Sequence, residues 1–245
     1  MTDDRRELSF DRVADVYERT RPDYPPAILD ALPLDGDAAV LDLGAGTGKL
    51  TRVLAARYRE VTAVEPLPNM RAILQRVVPT AAALPGSAEE IPLEDASVDG
   101  VFAAQAFHWF DKERALPEIA RVLRPGGVFA IVWNQPDETR DDPRAPEFLA
   151  EVSKLHDEAM KRFTDDRSWE DVLGRSGLFD AVHARTSVPH DHVLDHAAVL
   201  DNLRSVSWIA NRPDGEDVVE WLGTLLPAGS YAIPNVANVI WAVTP

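Results

Sequence analysis

The segment Val40-Leu41-Asp42-Leu43-Gly44-Ala45-Gly46-Thr47-Gly48-Lys49-Leu50-Thr51 limits what this chain can fold into more than any other stretch. The apolar run Ala39 to Leu41 marks a buried strand, and Gly44, Gly46 and Gly48 mark a turn. Leu50, Val53 and Leu54 then follow helical spacing. Strand, glycine turn and helix form the opening βα unit of an open α/β sheet, whose ligands bind beyond the carboxyl ends of the strands. Glycines at such a turn allow positive φ and a close approach to the backbone. The start of the helix carries N–H groups that have no intrahelical partner. A nucleotide-type ligand is expected.

The spacing narrows the ligand. A dinucleotide turn reads G-x-G-x-x-G, but counting from Gly44 and Gly46 the third position is Lys49. Asp42 stands two residues before the first glycine, where a carboxylate opposes a pyrophosphate and suits a ligand bearing an ammonium and a sulfonium. The stretch resembles motif I of the class I S-adenosylmethionine (SAM)-dependent methyltransferases. The resemblance implies cofactor contacts at Asp42, Gly44, Ala45, Gly46 and Thr47. Two other classes share such a turn: an NAD-dependent oxidoreductase, which Lys49 in place of glycine opposes, and a SAM-binding regulatory protein without turnover.

Three downstream segments agree with the resemblance. A second strand, Glu60 to Val64, ends in Glu65-Pro66-Leu67, an acid about 20 residues past the glycines and so placed to bond ribose hydroxyls. Leu67 is expected on one face of the adenine. A third strand, Ala81 to Leu84, precedes Gly86-Ser87-Ala88-Glu89, where the resemblance implies that Ala88, through its backbone, and Glu89 meet the adenine edge, with Ser87 beside them. A fourth strand, Gly100 to Ala104, ends in Gln105-Ala106-Phe107-His108-Trp109-Phe110-Asp111. Gln105 and Ala106 are assigned to the cofactor. His108 is the candidate general base, with an ordinary imidazole pKa of about 6.5. Trp109 is assigned to the acceptor pocket with Trp133 and Asn134, although the aromatics Phe107, Trp109 and Phe110 also suit simple packing on the next helix.

The N-terminal region predicts a helix over Ser9 to Glu18 and another over Pro26 to Leu32, separated by Arg21-Pro22-Asp23-Tyr24-Pro25. Tyr17, Arg21-Pro22 and Tyr24-Pro25 follow the order seen in the small-molecule group that includes trans-aconitate methyltransferase. That likeness implies a flap over the methionine tail, with Arg21 facing its carboxylate. A packed arm is the alternative. Helices are predicted from Lys49 to Tyr58, from Pro68 to Val77 and from Asp111 to Leu123. Arg124-Pro125-Gly126-Gly127 reads as a tight turn before a fifth strand, Val128 to Trp133. The run from Glu118 to Gly127 resembles the family's structural segment before that strand.

Beyond Asn134 a loop to Pro146 is predicted, then helices over Glu147 to Arg162, Ser168 to Ser176, His196 to Val206 and Gly215 to Leu225, with strands at Phe179 to Val188 and Asn238 to Val243. His190-Asp191-His192-Val193-Leu194-Asp195-His196 lacks an HExxH pattern and reads as a polar loop with a helix cap, so no metal is expected. The resemblance implies a Rossmann-like α/β fold with strand order 3-2-1-4-5-7-6, the last strand antiparallel. The 245 residues are read as one domain: an arm over 1–35, a SAM-binding core over 36–134 and acceptor-side elements over 135–245.

Composition enters mainly by exclusion. A net charge of −16 argues against nucleic acid and acidic membranes as partners. With no cysteine there is no disulfide frame. No apolar run of about 18 residues is present to span a bilayer, and the charged start lacks a signal-peptide core. The resulting expectation is a cytoplasmic monomer or homodimer that moves the SAM methyl to a small molecule, a carboxylic acid or a natural-product-like metabolite.

Overall fold

The computed structural model describes residues 14–160 and 168–245. Its centre is β1 (Ala39–Leu43), buried at all five positions, the acid Asp42 included. Strand alternation sends Leu41 and Leu43 into one core and Val40 into another. β1 is flanked by β2 (Glu60–Val64) and β4 (Val98–Ala104), both parallel to it; Asp42 pairs with Ala63 on one side and Phe102 on the other. β3 (Ala82–Leu84) and β5 (Leu123–Pro136) extend the parallel sheet outward. β6 (Ala181–Asp195) and β7 (Ser230–Val243) complete the order β3-β2-β1-β4-β5-β7-β6. Hydrogen bonds join Gly126 to Thr244 and Asp137 to Pro234, so β7 runs antiparallel to β5. This is the Rossmann-like class I methyltransferase fold, in the expected strand order.

Helices cover both faces. α1 is Ala14–Thr20; residues 9–13 of the helix predicted there lie outside the described residues. A 3-10 turn, Pro26–Ala31, stands where a helix is predicted. α2 (Lys49–Arg57), α3 (Pro68–Val77) and α4 (Lys112–Val122) follow β1, β2 and β4. Leu50 and Leu54 of α2 pack with Ile28, Leu29, Phe102 and Val132, whereas Ala115, Ile119 and Val122 of α4 pack with Leu41, Val101 and Phe129 on the opposite face. Each fully buried Leu, Ile, Val or Phe among them is worth about 1.5–3 kcal/mol of transfer free energy.

The segment from Glu118 to Gly127 is a clamp. The Glu118 carboxylate accepts from Ile91 N at 2.9 Å, and Arg121 donates to Leu93 O, Ile91 O and Asp95. Arg124 donates to Asp99 at 2.6 Å and to Ser97 O. The expected tight turn Arg124–Gly127 lies inside β5: Val98 pairs with Leu123 but Gly100 with Val128, and Gly126 has φ 76°, so the turn is a bulge within the strand.

The chain divides into two compact units. One comprises Asp23–Gln135, Arg167–Val188 and Val236–Pro245; the other comprises Met1–Pro22, Pro136–Asp166 and Pro189–Asn235. The first holds the two cores above together with α6 (Trp169–Ser176). The second is helical, with α5 (Pro146–Met160), α7 (His196–Arg204), α8 (Ser207–Ala210) and α9 (Gly215–Leu225). Phe148, Val199, Leu203, Ile209, Val219 and Leu222 form its core. Of the arm, Ala14 to Pro22 groups with the helical unit and Asp23 onward with the sheet-bearing one.

Other boundaries also differ from expectation. β5 runs on to Pro136 and β7 begins at Ser230. His190 to Asp195, expected as a polar loop, is the end of β6; the cap does form, Asp195 accepting from Ala198 N at 2.8 Å. Among the described residues no helix is long and apolar enough to cross a membrane.

Candidate active site

The glycine turn is held from beneath by the end of β2. Gly44 N and Ala45 N both donate to Val64 O, at 2.9 and 3.1 Å. Gly46 N donates to Glu65 Oε2 at 2.8 Å, and Leu67 N donates to Glu65 Oε1 at 2.8 Å. Glu65, only 5 % exposed, thus ties the turn to the start of α3. Arg71 fixes the same corner, donating to Glu65 O at 2.6 Å and Pro66 O at 3.1 Å. The first three N–H groups of the turn are therefore spent within the chain.

Two glycines of the turn serve different ends. A Cβ on Gly44, where φ is 71°, would stand 2.7 Å from Ala106 Cβ and 3.5 Å from the Phe110 ring. This position is closed by the chain itself: a side chain there would strike Ala106. Gly46, at φ 57°, has nothing within 4 Å of its Cβ direction. The turn is open there.

Beneath the turn Asp42 is fully buried. Thr51 Oγ1 donates to its Oδ2 at 2.6 Å. Its Oδ1 and the buried Thr47 Oγ1 have no hydrogen-bond partner among the described residues. Burial raises the Asp42 pKa to about 7, the Thr51 hydroxyl opposes that rise, and the Glu65 charge adds to it. A buried unsatisfied carboxyl oxygen costs about 1–3 kcal/mol or more, so such exceptions call for a partner. Spent N–H donors and two acids suit a cationic ligand and disfavour a polyphosphate. The residues present fit the ammonium-bearing SAM.

The remaining candidates are placed as follows. Pro66 is exposed and Leu67 half-buried at the start of α3. Ser87 bridges to Glu90, and Ala88 is 4 % exposed, its side chain in the core. Glu89 accepts from Asp111 N at 2.9 Å, which joins this turn to the start of α4. Gln105 has φ 52°; its N donates to Val132 O and its Nε2 to Asn134 O at 2.7 Å, locking the ends of β4 and β5 together. Asn134 Nδ2 donates to Asp23 O at 3.2 Å.

Phe107–Trp109 form a 3-10 turn after Gln105. His108 is exposed, and its ring centroid lies 4.9 Å from that of Trp109. Desolvation by the surrounding chain, with the Lys112 ammonium second, lowers its imidazole toward about 4, and water around the exposed ring offsets part of that desolvation. Phe107 packs in the core, as the packing alternative held.

Tyr17 and Arg21 belong to the helical unit. The Arg21 guanidinium lies 5.3 Å from the Tyr17 ring centroid, and donates to Ser205 Oγ at 3.0 Å and Ser205 O at 2.9 Å. A ligand carboxylate would compete with Ser205 for those donors. Sequence reasoning missed the pair Lys49 and Asp23. Lys49, only 8 % exposed, donates to Asp23 Oδ1 at 2.9 Å, and Arg52 shares that oxygen at 3.2 Å. The signal was a lysine within the first helical turn, where a cation is usually disfavoured.

Comparison with known proteins agrees with this geometry. A family model described as a methyltransferase domain matches residues 41–131. An uncharacterized methyltransferase of Mycobacterium tuberculosis is 54% identical over 140 residues, 56% of this chain and 58% of that protein. A malonyl-[acyl-carrier protein] O-methyltransferase of Dechloromonas aromatica is 33% identical over 132 residues, 49% of each chain. The chain thus spans about half the length of these curated relatives. Among solved structures, a candidate type II methyltransferase from Anaeromyxobacter dehalogenans superposes with a TM-score of 0.62 at 26% identity, covering 91% of this chain and 97% of that one. Sheet order, turn chemistry and relatives converge on one resemblance: residues 41–131 match a methyltransferase domain, set in the sheet order of the class I SAM-dependent methyltransferases.

Proposed function

We propose that this chain binds SAM at the glycine turn and methylates a small-molecule acceptor. The observation that carries the reading is the buried Asp42 carboxyl under the turn, with its Oδ1 and the neighbouring Thr47 hydroxyl both without a partner among the described residues. SAM supplies an electrophilic methyl on sulfur. The chain's own residues supply position and environment. Asp42 and Thr47 hold the cationic end, the open side of Gly46 gives room, and Glu65 fixes the turn and bonds the ribose hydroxyls. Leu67 offers an apolar face to the adenine, and Ala88 and Glu89 its edge.

On the acceptor side stand His108, Trp109, Trp133 and Asn134. At a pKa of about 4 His108 is neutral at pH 7 and a weak base, so its proposed part is to orient the acceptor by a hydrogen bond more than to take its proton. The malonyl-[acyl-carrier protein] relative favours oxygen as the acceptor atom and an acid as the acceptor class. The proposed setting is the cytoplasm, as a monomer or homodimer, with neither nucleic acid nor membrane as partner. Titration calorimetry with SAM, S-adenosylhomocysteine and NAD tests the cofactor; a metabolite panel read out as S-adenosylhomocysteine release tests the transfer. Micromolar SAM binding with no NAD binding is expected. Binding of NAD alone would overturn the reading, and SAM binding without methyl transfer to any acceptor would point to the regulatory class.

A further inference from the structure

The arginines of this acidic chain tend to be paired: Arg124, Arg140, Arg144 and Arg212 each reach a carboxylate oxygen at 2.6–2.8 Å. Arg185 on β6 is different. It is exposed and makes no hydrogen bond or ion pair among the described residues. Its guanidinium carbon lies 4.9 Å from the centroid of the Trp133 ring. A guanidinium on a ring face keeps its donor fork for another partner. In a chain with a net charge of −16, a guanidinium with no ion pair among the described residues is a cation available to a ligand.

Arg185 also ends a continuous wall of rings within one unit. Trp133 meets Trp169 edge-on at 4.8 Å, Trp169 meets Phe107 at 6.1 Å, and Phe107 meets Phe110 at 6.0 Å. The Phe110 ring reaches the glycine turn beside Gly44. Phe110, Trp133 and Trp169 are half-buried, so the wall keeps an accessible side. Trp133 Nε1 is engaged by Gln135 Oε1 at 3.1 Å, which holds that indole in place. The row begins at the candidate cofactor turn and finishes at an unpaired cation.

We propose that Arg185 selects the methyl acceptor by binding an anionic group at the far end of an apolar or aromatic body laid along the Trp133–Trp169 wall. The proposal rests on the methyltransferase reading above and deepens it. A guanidinium fork matches a carboxylate in two hydrogen bonds, whereas the matched amide offers one neutral acceptor. Specificity comes from that difference, and the rings supply burial without regard to charge.

The test uses the full chain saturated with S-adenosylhomocysteine and matched pairs of probes: benzoate and benzamide, phenylacetate and phenylacetamide, indole-3-acetate and indole-3-acetamide. Affinities are read by calorimetry and ligand-observed NMR at low salt. At least one anion should bind about tenfold or more tightly than its amide, the scale of a charge-assisted hydrogen bond. Arg185→Gln should erase that preference and leave amide binding and S-adenosylhomocysteine affinity unchanged, and Arg185→Lys should retain part of it. No anion preferred by the unaltered protein, or a preference that survives Arg185→Gln, would overturn the proposal. S-adenosylhomocysteine affinity is measured separately. Its absence alongside an Arg185-dependent anion preference would remove the cofactor reading and keep the anion site.

Discussion

Glu65 carries two backbone N–H groups and, in the proposed reading, the ribose. Glu65→Ala should therefore do two things at once. SAM affinity should fall by about 1.5–3 kcal/mol, and stability should fall by about 1–3 kcal/mol as the N–H groups of Gly46 and Leu67 lose a buried acceptor. Calorimetry and a urea melt separate the two; a destabilised variant with unchanged SAM affinity would leave Glu65 a brace only. Asp42 gives a sharper signature. Burial pushes its carboxyl up to about 7 in the folded chain from the ordinary 3.8, so between those pH values the folded state holds a proton that the unfolded state has lost. That contribution to stability is present below the lower value and is lost as pH rises through 7. A cationic ligand favours the ionised carboxylate, so SAM binding should release a proton and tighten as pH rises through this window. Asp42→Asn should abolish the proton release, measured as the buffer dependence of the binding enthalpy. An unchanged proton count in that variant would mean that Asp42 does not face the cation. His108 shifts the other way. With its pKa lowered to about 4, it should produce no inflection in kcat near pH 6.5, and His108→Gln should leave the shape of the pH–rate profile unaltered.

At the scale of elements, Gly44 and Gly46 should fail differently. Gly46→Ala meets only the cost of a left-handed residue, about 1–2 kcal/mol, and projects a methyl into the open side of the turn. It should keep the fold and lose SAM affinity. Gly44→Ala must move Ala106 and the start of the 3-10 turn, so it should lower the melting temperature more. Equal melting temperatures for the two would contradict this division. The βα units around this turn were legible because apolar residues recur with the period of the element that buries them, and Asp42, Glu65 and the glycines stand at fixed offsets from those runs. The ends of β6 and β7 were not legible. β6 is the edge strand, with one face toward solvent, so His190-Asp191-His192 can be polar without leaving the sheet, and Val193 is 65 % exposed there. Asp42's missing partner, the Lys49–Asp23 pair and the wall from Phe110 to Arg185 were equally hidden, because each depends on residues brought together only by folding.

For the whole molecule, the grouping of Ala14 to Pro22 with the helical unit changes what a truncation should do. The flap reading predicts that removing Met1 to Tyr24 leaves a folded core that binds SAM poorly. Tyr24 is 7 % exposed and packs with Ile28, Leu54 and Phe102, so a cut after it removes a core side chain from the sheet-bearing unit. A cut after Pro22 is the cleaner experiment. Thr20 O receives His192 Nε2 at 2.7 Å and Asn202 Nδ2 at 2.7 Å, while Arg21 donates to Ser205 just past the end of α7. Losing residues 1–22 would leave Asn202 without that acceptor and Ser205 without its donor, at about 1 kcal/mol for each hydrogen bond and more where a group stays buried. Hydrogen exchange should therefore quicken across His196–Arg204 in the truncated chain while amides of β1 and β4 stay protected, since local stability follows local contacts. A flap that closes on SAM adds a second expectation: in the full chain, SAM should slow exchange in Ala14–Thr20, because binding selects the closed state. Slowed exchange there, lost in Arg21→Ala, would give Arg21 its cofactor role. Exchange in Ala14–Thr20 that is indifferent to SAM, with His196–Arg204 loosened by the truncation, would make the arm a packed part of the helical unit.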